Sequence, residues 1–526
     1  MTMNKLLILL LLAGILLCRC KKEPDNIVPS VQCDSILTKV LIDLGVDVNR
    51  DGQISKSEAE AVTSLDVSEK DIKSMSGLEL FVNLKSLNCS NNCISNLDIS
   101  RNTSLVFLNC SSTCITALDL SNNTDLESLI CDFNYLNRLD ISNLGKLTRL
   151  ACISNRLTSL DVSNNSDLDS LDCGWNQLTN LDISDLDKLA LLGCNSNQLT
   201  SIDVSHNTVL ASLSCGGNKL TSLDVSHNTA LEELICSSNQ FTSLDISNTA
   251  LKELECYNNK LTSLSVSNNA ALEVLRCYNN LLAGLDVSNN TALSSLDCGD
   301  NILTSLDISN NTALVDFRCY GNQLGSLDIS FDPALTNLNC RNNQLATLDI
   351  SKNSNLIYLY CSENQLTGLD ISNNPELKYL YCGGNQLTSL DISDNLGLIL
   401  LDCGGNRLTT LDASNNKFLR TVICYYNSLT ELNVSNITSL GELNCGVNLL
   451  TSIDVSSNSG LVWLNCGFNF LTSLNLSNNT KLEELYLSRL PDLYKVCVWT
   501  TPFPPVGVTV DMTNSPNVYF ATVCSK

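Results

Sequence analysis

Apolar positions recur at fixed offsets through residues 64–490 of this chain. One unit reads Leu105-Val-Phe-Leu108-Asn-Cys110-Ser-Ser-Thr-Cys-Ile115-Thr-Ala-Leu118-Asp-Leu120-Ser-Asn-Asn-Thr-Asp, and Leu126 opens the next. The skeleton is L-x-x-L-x-C-x-x-N-x-L-x-x-L-x-[IVL]-S. The Leu-x-Cys segment alternates inward and outward, as a short strand requires, and the Leu-Asp-Val-Ser segment after it alternates too. Each unit is therefore expected to offer two strands to two parallel sheets on opposite sides of one core.

The cysteines fix the period. Nineteen of them run from Cys89 to Cys466, each 21 residues from the last except for one step of 20 between Cys236 and Cys256. Self-similarity at such a period marks units that bury their core only by stacking on neighbours. A buried reduced cysteine behaves as a small hydrophobe, so core packing is the expected role of the ladder. Stacking would set successive sulfurs near the strand spacing of roughly 4.8 Å, but parallel, in-register side chains aim badly for disulfides. An asparagine stands three residues after each ladder cysteine, as at Asn92, Asn134, Asn155, Asn176 and Asn469, with Thr113 the one departure. Its amide is expected to bond backbone groups at a tight bend.

This pattern resembles the bacterial leucine-rich repeat, specifically the short internalin-like and cysteine-bearing forms found on bacterial surfaces. The resemblance covers residues 64–490. It implies a repeat solenoid of 21-residue coils, mainly parallel β, that takes ligands on its concave face.

The chain has 526 residues, a length that suggests several domains, but a solenoid escapes that count because it grows in one dimension. The formal charge of −24 argues against a nucleic-acid partner, which demands a basic footprint, and fits a soluble monomer. Met1 to Lys5 and the apolar run Leu6–Leu17 have the length of a signal peptide and are too short to span a bilayer. Cys18 ends the run and resembles the acylated cysteine of a lipoprotein. Leu17 precedes it where that pattern has a small residue, and Cys20 follows Arg19, so Cys18 is favoured over Cys20 and ordinary secretion is the alternative. Residues 1–20 are read as the leader and 21–32 as a tether. These features imply an exported protein, lipid-anchored at the outer membrane or cell surface of a Gram-negative bacterium and touching the membrane only through that anchor. Cys497 and Cys524 are expected to form a disulfide that closes the C-terminal end. Cys93 and Cys114, in equivalent places of consecutive coils, are a weaker candidate pair, and Cys33 has no evident partner.

One motif carries chemistry of its own. Asp47-Val-Asn49-Arg-Asp51-Gly52-Gln53-Ile54-Ser55-Lys-Ser-Glu58 matches D-x-[DN]-x-[DN]-G-x5-E without a gap. It resembles an EF-hand calcium loop. The resemblance implies side-chain oxygens from Asp47, Asn49 and Asp51, the Gln53 carbonyl, Ser55 directly or through water, and both oxygens of Glu58. Gly52 would permit the sharp turn and Ile54 would point inward. Ser35–Leu44, apolar at Ile36, Val40, Leu41 and Leu44, is expected to form the entering helix. Ser55 and Glu58 form a capping box for an exiting helix to about Val62. The loop is expected to be a structural N-terminal cap, residues 33–63, over the open end of the solenoid, and an Asp/Asn-rich turn without an ion is the plainer alternative. At the other end the pattern dissolves after Leu490. Residues 491–526 are expected to form a short β cap with strands near Val496–Trp499, Val506–Val510 and Val518–Val523.

No catalytic constellation is visible. His206 and His227 fall in adjacent coils with no third ligand, and the ladder thiols should be buried and inert. The positions flanking the inward Leu and Cys vary from coil to coil and collect aromatics. Tyr358, Tyr360, Tyr379 and Tyr381 make a two-by-two block. Tyr257, Tyr278 and Tyr320 form a stripe directly after their cysteines, and Arg276, Arg318 and Arg341 lie among them. Tyr425, Tyr426, Trp463 and Phe468 come further on. Tyr and Arg are enriched at binding hot spots, so residues from about 257 to 426 are the expected recognition surface. Coils near 170–250 offer mostly Ser, Gly and Asn there. The expected function is non-enzymatic binding of a protein partner; a glycan stacked on the tyrosines or a structural spacer in the envelope are the alternatives.

Overall fold

The computed structural model describes residues 35–247 and 249–523. The leader, Cys18, Cys20, the tether, Cys33 and Cys524 lie outside the described residues. The described residues form two compact units, residues 35–240 with 249–250, and residues 241–247 with 251–523.

The first unit opens with two helices, α1 (Ser35–Asp43) and α2 (Lys56–Ala61). Leu37 and Leu41 are the buried face of α1, whereas Leu44, expected inside, falls just past its end and is 50% exposed. The capping box of α2 is complete, with the Ser55 hydroxyl accepting from the Glu58 N–H and the Glu58 carboxylate accepting from the Ser55 N–H. Helix α2 is tied to the first coil. The Asn83 amide donates to the Glu60 carbonyl at 2.8 Å, and the Lys85 N–H donates to the Thr63 carbonyl at 2.8 Å.

From Ser64–Asp66 to Glu233–Ile235 each coil of this unit contributes one three-residue strand, parallel to the next and in register. The second unit repeats the arrangement from Glu253–Glu255 onward. The protein is thus a parallel-strand solenoid with little helix. In register, equivalent side chains must form columns. In this ladder from Ser64–Asp66 to Glu484–Tyr486 the middle strand residue is buried throughout, a leucine except at Phe317 and Val422. The ladder cysteines form the next column and are fully buried. Burial pushes the thiols up, to about 12 at Cys89, Cys215, Cys256, Cys340 and Cys445. Among the described residues Cys497 is disulfide-bonded, and its expected partner Cys524 lies outside them.

The expected second sheet forms only in part. Thr410–Asp412 pairs with Glu431–Asn433, and Ser473–Asn475, Lys495–Cys497 and Tyr519–Ala521 form a three-stranded ladder. In most other coils the Leu-Asp-Val-Ser segment is extended without strand pairing. There the Asp carboxylate accepts from the N–H of the Ser two residues on, as at Asp161, Asp182 and Asp370, a local bond that competes with pairing between coils. The same bond persists at Asp412 inside a paired strand, so it does not decide the matter alone. The C-terminal segment continues the stack, because Thr509–Asp511 pairs in parallel with Glu484–Tyr486.

Two asparagine columns hold the bends. In the first, typified by Asn364, the side-chain carbonyl accepts from the Leu345 N–H at 3.0 Å. Its amide donates to the carbonyls of Cys340 at 3.0 Å, Cys361 at 3.2 Å and Ser362 at 3.3 Å. The second column, from Asn102 to Asn479, was not anticipated from the sequence. These amides give their hydrogens to backbone carbonyls of the preceding coil, as Asn374 does to Ile350 at 3.1 Å and Asn353 at 2.8 Å. Leu144, Leu186 and Ile437 occupy this slot in three coils and simply bury an apolar side chain there.

Candidate recognition surface and calcium loop

The outward residues of the strands build the first candidate site. In the second unit Tyr358 pairs with Tyr379, and Tyr360 with Tyr381, across adjacent strands. Parallel in-register pairing forces the rings together. Their centroids lie 4.8 Å and 4.7 Å apart with planes inclined by 4° and 11°. Tyr257 and Tyr278 stack the same way at 4.4 Å. Tyr320 stands two coils beyond Tyr278 and fills the gap differently: its ring lies where a Cβ on Gly299 would sit, 2.5 Å from the nearest ring atom. Glycine is required at that position to admit the ring. Gly404 serves Tyr425 in the same manner, at 2.6 Å. Burial pushes the hydroxyls of Tyr278, Tyr320, Tyr360 and Tyr381 up, so they remain protonated and can donate.

The arginines differ in availability. The guanidinium of Arg276 is held by Glu253 and Glu255, and Arg318 makes a two-pronged contact with Asp316 at 3.0 Å on each arm. Both charges are balanced within the chain, which reduces what they can offer a ligand. Arg341 is exposed beside Tyr320. Asp297, between these residues, is pushed up to about 6 by burial. Further along, Trp463 and Tyr486 share the Glu484 carboxylate, at 3.1 Å and 2.8 Å.

The first unit is less bare than its Ser, Gly and Asn content suggested. Trp175 is 56% exposed, and it sits with φ of 54° in the left-handed region, as Phe133 does at 53°. In the second unit Tyr426 and Phe468 take the same position two residues past the ladder cysteine, at 53° and 57°. That backbone state costs roughly 1–2 kcal/mol for a residue other than glycine, and other coils meet it with Gly217, Gly321, Gly384 or Gly405. Large aromatics placed there, and left in solvent, gain nothing for the core. No sequence rule flagged Phe133 and Trp175, because the turn that strains them is visible only in the backbone.

The loop from Asp47 to Glu58 is the second candidate. Glu58 accepts from the Val48 and Asn49 N–H groups at 2.8 Å and 3.1 Å, and from the Ser55 hydroxyl at 2.7 Å. The Ser55 hydroxyl foremost, with these amides, holds the carboxyl down at about 2. Asp47 accepts from the Asp51 and Gly52 N–H groups at 3.2 Å and 2.9 Å, and Asp51 from the Gln53 N–H at 2.8 Å. Gly52 turns at φ 83° and Ile54 is half-buried. The donor set is all oxygen, in the order a hard divalent cation needs. Among the described residues no three acid, His or Cys side chains converge at ligand distance, since the loop carboxylates are turned onto its own amides. An ion would take the place of those amide contacts.

With this geometry in view, a family model described as Leucine Rich repeats (2 copies) matches residues 354–396, the two coils that carry the tyrosine block. The chain is a leucine-rich-repeat protein. Its repeats are similar to the functional domain of InlJ from Listeria monocytogenes, which includes a cysteine ladder, at 30% identity over 84% of this chain and 78% of that one, with a TM-score of 0.48. The leucine-rich-repeat protein LIC12759 of Leptospira interrogans matches at 25% identity over 67% and 92%, with a TM-score of 0.57. The Arabidopsis receptor kinase HAESA, solved in complex with the peptide hormone IDA and the co-receptor SERK1, shares the fold at 20% identity over 88% and 91%, with a TM-score of 0.68. No curated protein sequence matches this leucine-rich-repeat chain. Among the described residues no helix is long and apolar enough to cross a membrane.

Proposed function

We propose that this leucine-rich-repeat protein is a non-enzymatic binding protein that holds a protein partner against the strand face of its second unit, centred on Tyr358, Tyr360, Tyr379 and Tyr381. The observation that carries this reading is the stacking of the tyrosines. A sugar ring recognised by an aromatic platform needs a free ring face. Here one face of each ring is covered by its paired neighbour, which leaves less open ring face than an unpaired tyrosine offers a sugar. Edges and hydroxyls suit the mixed apolar and hydrogen-bonding surface of a polypeptide. Support comes also from the same fold in HAESA, which is solved with a peptide hormone bound. The test is binding of the purified ectodomain to protein and glycan arrays, repeated with Tyr358, Tyr360, Tyr379 and Tyr381 all changed to Ala. The native chain should capture protein ligands, and the variant should lose them at least tenfold. Capture of glycans alone, or full retention by the variant, refutes the reading.

The same proposal includes an exported, lipid-anchored chain with acylation at Cys18, supported by the leader sequence; a Cys18→Ala change should abolish labelling by a radioactive fatty acid. It also includes calcium at the loop of Asp47, Asn49, Asp51, Gln53, Ser55 and Glu58, as a cap rather than a sensor, supported by the ordered oxygen set and the tie of α2 to the first coil. Calcium should raise the melting temperature, a chelator should lower it, and Glu58→Gln should remove the difference. An unchanged melting curve with no bound ion would overturn it.

A further inference from the structure

Among the described residues the second asparagine column has one ionisable exception, Asp332. Asn311 gives its amide hydrogens to the carbonyls of Val287 and Asn290, both at 2.9 Å, and Asn353 gives its own to those of Ile329 and Asp332, both at 2.9 Å. Asp332 occupies the slot between them, 21 residues from each. Its backbone keeps the turn of the column: its N–H donates to the Ile329 carbonyl, and its own carbonyl accepts from the Leu335 N–H, both at 3.2 Å. The corresponding bonds at Asn311 are 2.8 Å and 3.0 Å. The carboxyl therefore faces the carbonyl oxygens of Ile308 and Asn311, which an amide at this position would serve. It is wholly buried, and neither of its oxygens has a hydrogen-bond partner. A carboxylate would bring only lone pairs to two more lone pairs, in a place no water reaches. A carboxylic acid brings one hydrogen and can serve one of the two.

We infer that Asp332 is held in the folded protein as the neutral acid, donating to the carbonyl of Ile308 or Asn311, and that its ionisation loosens the stack at this coil. The proton leaves to solvent, and the buried charge it leaves behind has no donor. Burial, and after it the charge of Asp328, push the carboxyl up to about 7. The groups around it reinforce this. Asp328 lies on the same coil, with Asp307 and Asp349 acting on Asp328 from the coils on either side. The cation nearest in sequence, Arg341, is exposed beside Tyr320, and Lys352 on the following coil is exposed and acts on Asp349. The turn of the preceding coil, Ser309 to Ala313, carries no charge. The loosened coil adjoins the recognition surface, since its strand Asn337–Asn339 pairs directly with Tyr358–Tyr360. The inference itself does not depend on what that surface binds.

The sign follows from linkage. The folded protein holds this proton to a higher pH than the unfolded chain does. The stabilisation is complete below the ordinary Asp range, at about pH 4, and is lost as pH rises to about 7. The test compares melting temperatures of the full chain and of Asp332→Asn across pH 4 to 8. Other buried acids titrate in both proteins and cancel in the difference. The variant restores the amide of the column. It should therefore melt several degrees above the native chain near pH 8, with the gap closing toward pH 4. A gap that is the same at every pH overturns the inference. A second readout needs only the native protein. Hydrogen exchange at the Leu335 amide, corrected for its intrinsic rate, should accelerate several-fold between pH 5 and pH 8 relative to the Leu231 amide, which caps the same turn at Asn228 in the first unit. Equal protection of the two amides at both values would likewise sink it.

Discussion

Replacing Asn364 with alanine should be among the most destabilising single changes outside the apolar core. The side chain makes four hydrogen bonds to backbone in two coils, and three of them are 3.2 Å or shorter. Alanine abolishes them all and leaves the Leu345 N–H buried without an acceptor. Each of the three donated bonds is worth about 1 kcal/mol net and the orphaned Leu345 N–H costs about 1–3 kcal/mol, so the sum is roughly 4–6 kcal/mol. The neighbouring Asn373 is exposed and bonds only the Ser372 hydroxyl at 3.4 Å, so Asn373→Ala should cost less than about 0.5 kcal/mol. Threonine should fall between. In the one coil that carries it, the Thr113 hydroxyl reaches the Cys110 carbonyl at 2.7 Å, and a hydroxyl has only one hydrogen to give. The assay is urea denaturation followed by circular dichroism, with amide exchange at Leu345 to place the loss, because long repeat arrays need not unfold in one step. If Asn364→Ala and Asn373→Ala cost the same, the view that this column carries the bends is wrong.

Other outcomes follow from burial and covalent closure. The ladder thiols should react with a disulfide reagent only as fast as the coils open, and the rate should stay nearly flat from pH 7 to pH 9, where an exposed thiol accelerates; a steep rise would mean accessible thiolates. Cys497→Ser should cost about 2–4 kcal/mol by removing the C-terminal disulfide, read as an earlier urea midpoint, and no shift would show that the bond closes nothing. Gly404→Val should displace the Tyr425 ring, since a Cβ there meets it at 2.6 Å, and the change should appear in tyrosine fluorescence with little loss of stability; an unaltered spectrum would place the ring elsewhere.

The coil and its core were legible in the sequence because each inward position repeats in nearly every coil, and repetition averages out local ambiguity. The first asparagine column was legible for the same reason. The second was present in the recurring Ser-Asn-Asn-Thr, yet its partners are carbonyls of the preceding coil, which no rule confined to one coil can supply. The second sheet was over-read. Extended segments that pair and extended segments that merely run side by side carry the same alternation, and only their spacing separates them. On the strand face the columns of Tyr358 and Tyr360 could be assigned by counting. Whether their rings stack or splay depends on rotamers, as does the capture of Arg276 by Glu253 and Glu255. The loop from Asp47 to Glu58 was legible as a string of oxygens in order; the turning of those oxygens onto the loop's own amides was not.

The constancy of register has a consequence for how such a chain changes over generations. Removing or duplicating one period of coding sequence joins a coil to its neighbour's equivalent residue, so every column closes again without a seam. The number of coils, and with it the extent of the strand face, can drift by unequal recombination while each individual bend stays intact. A change of length within a bend is absorbed there, as at the longer steps from Ser64 to Ser86 and from Glu484 to Thr509, whereas one inside a strand throws that coil's side chains out of their columns.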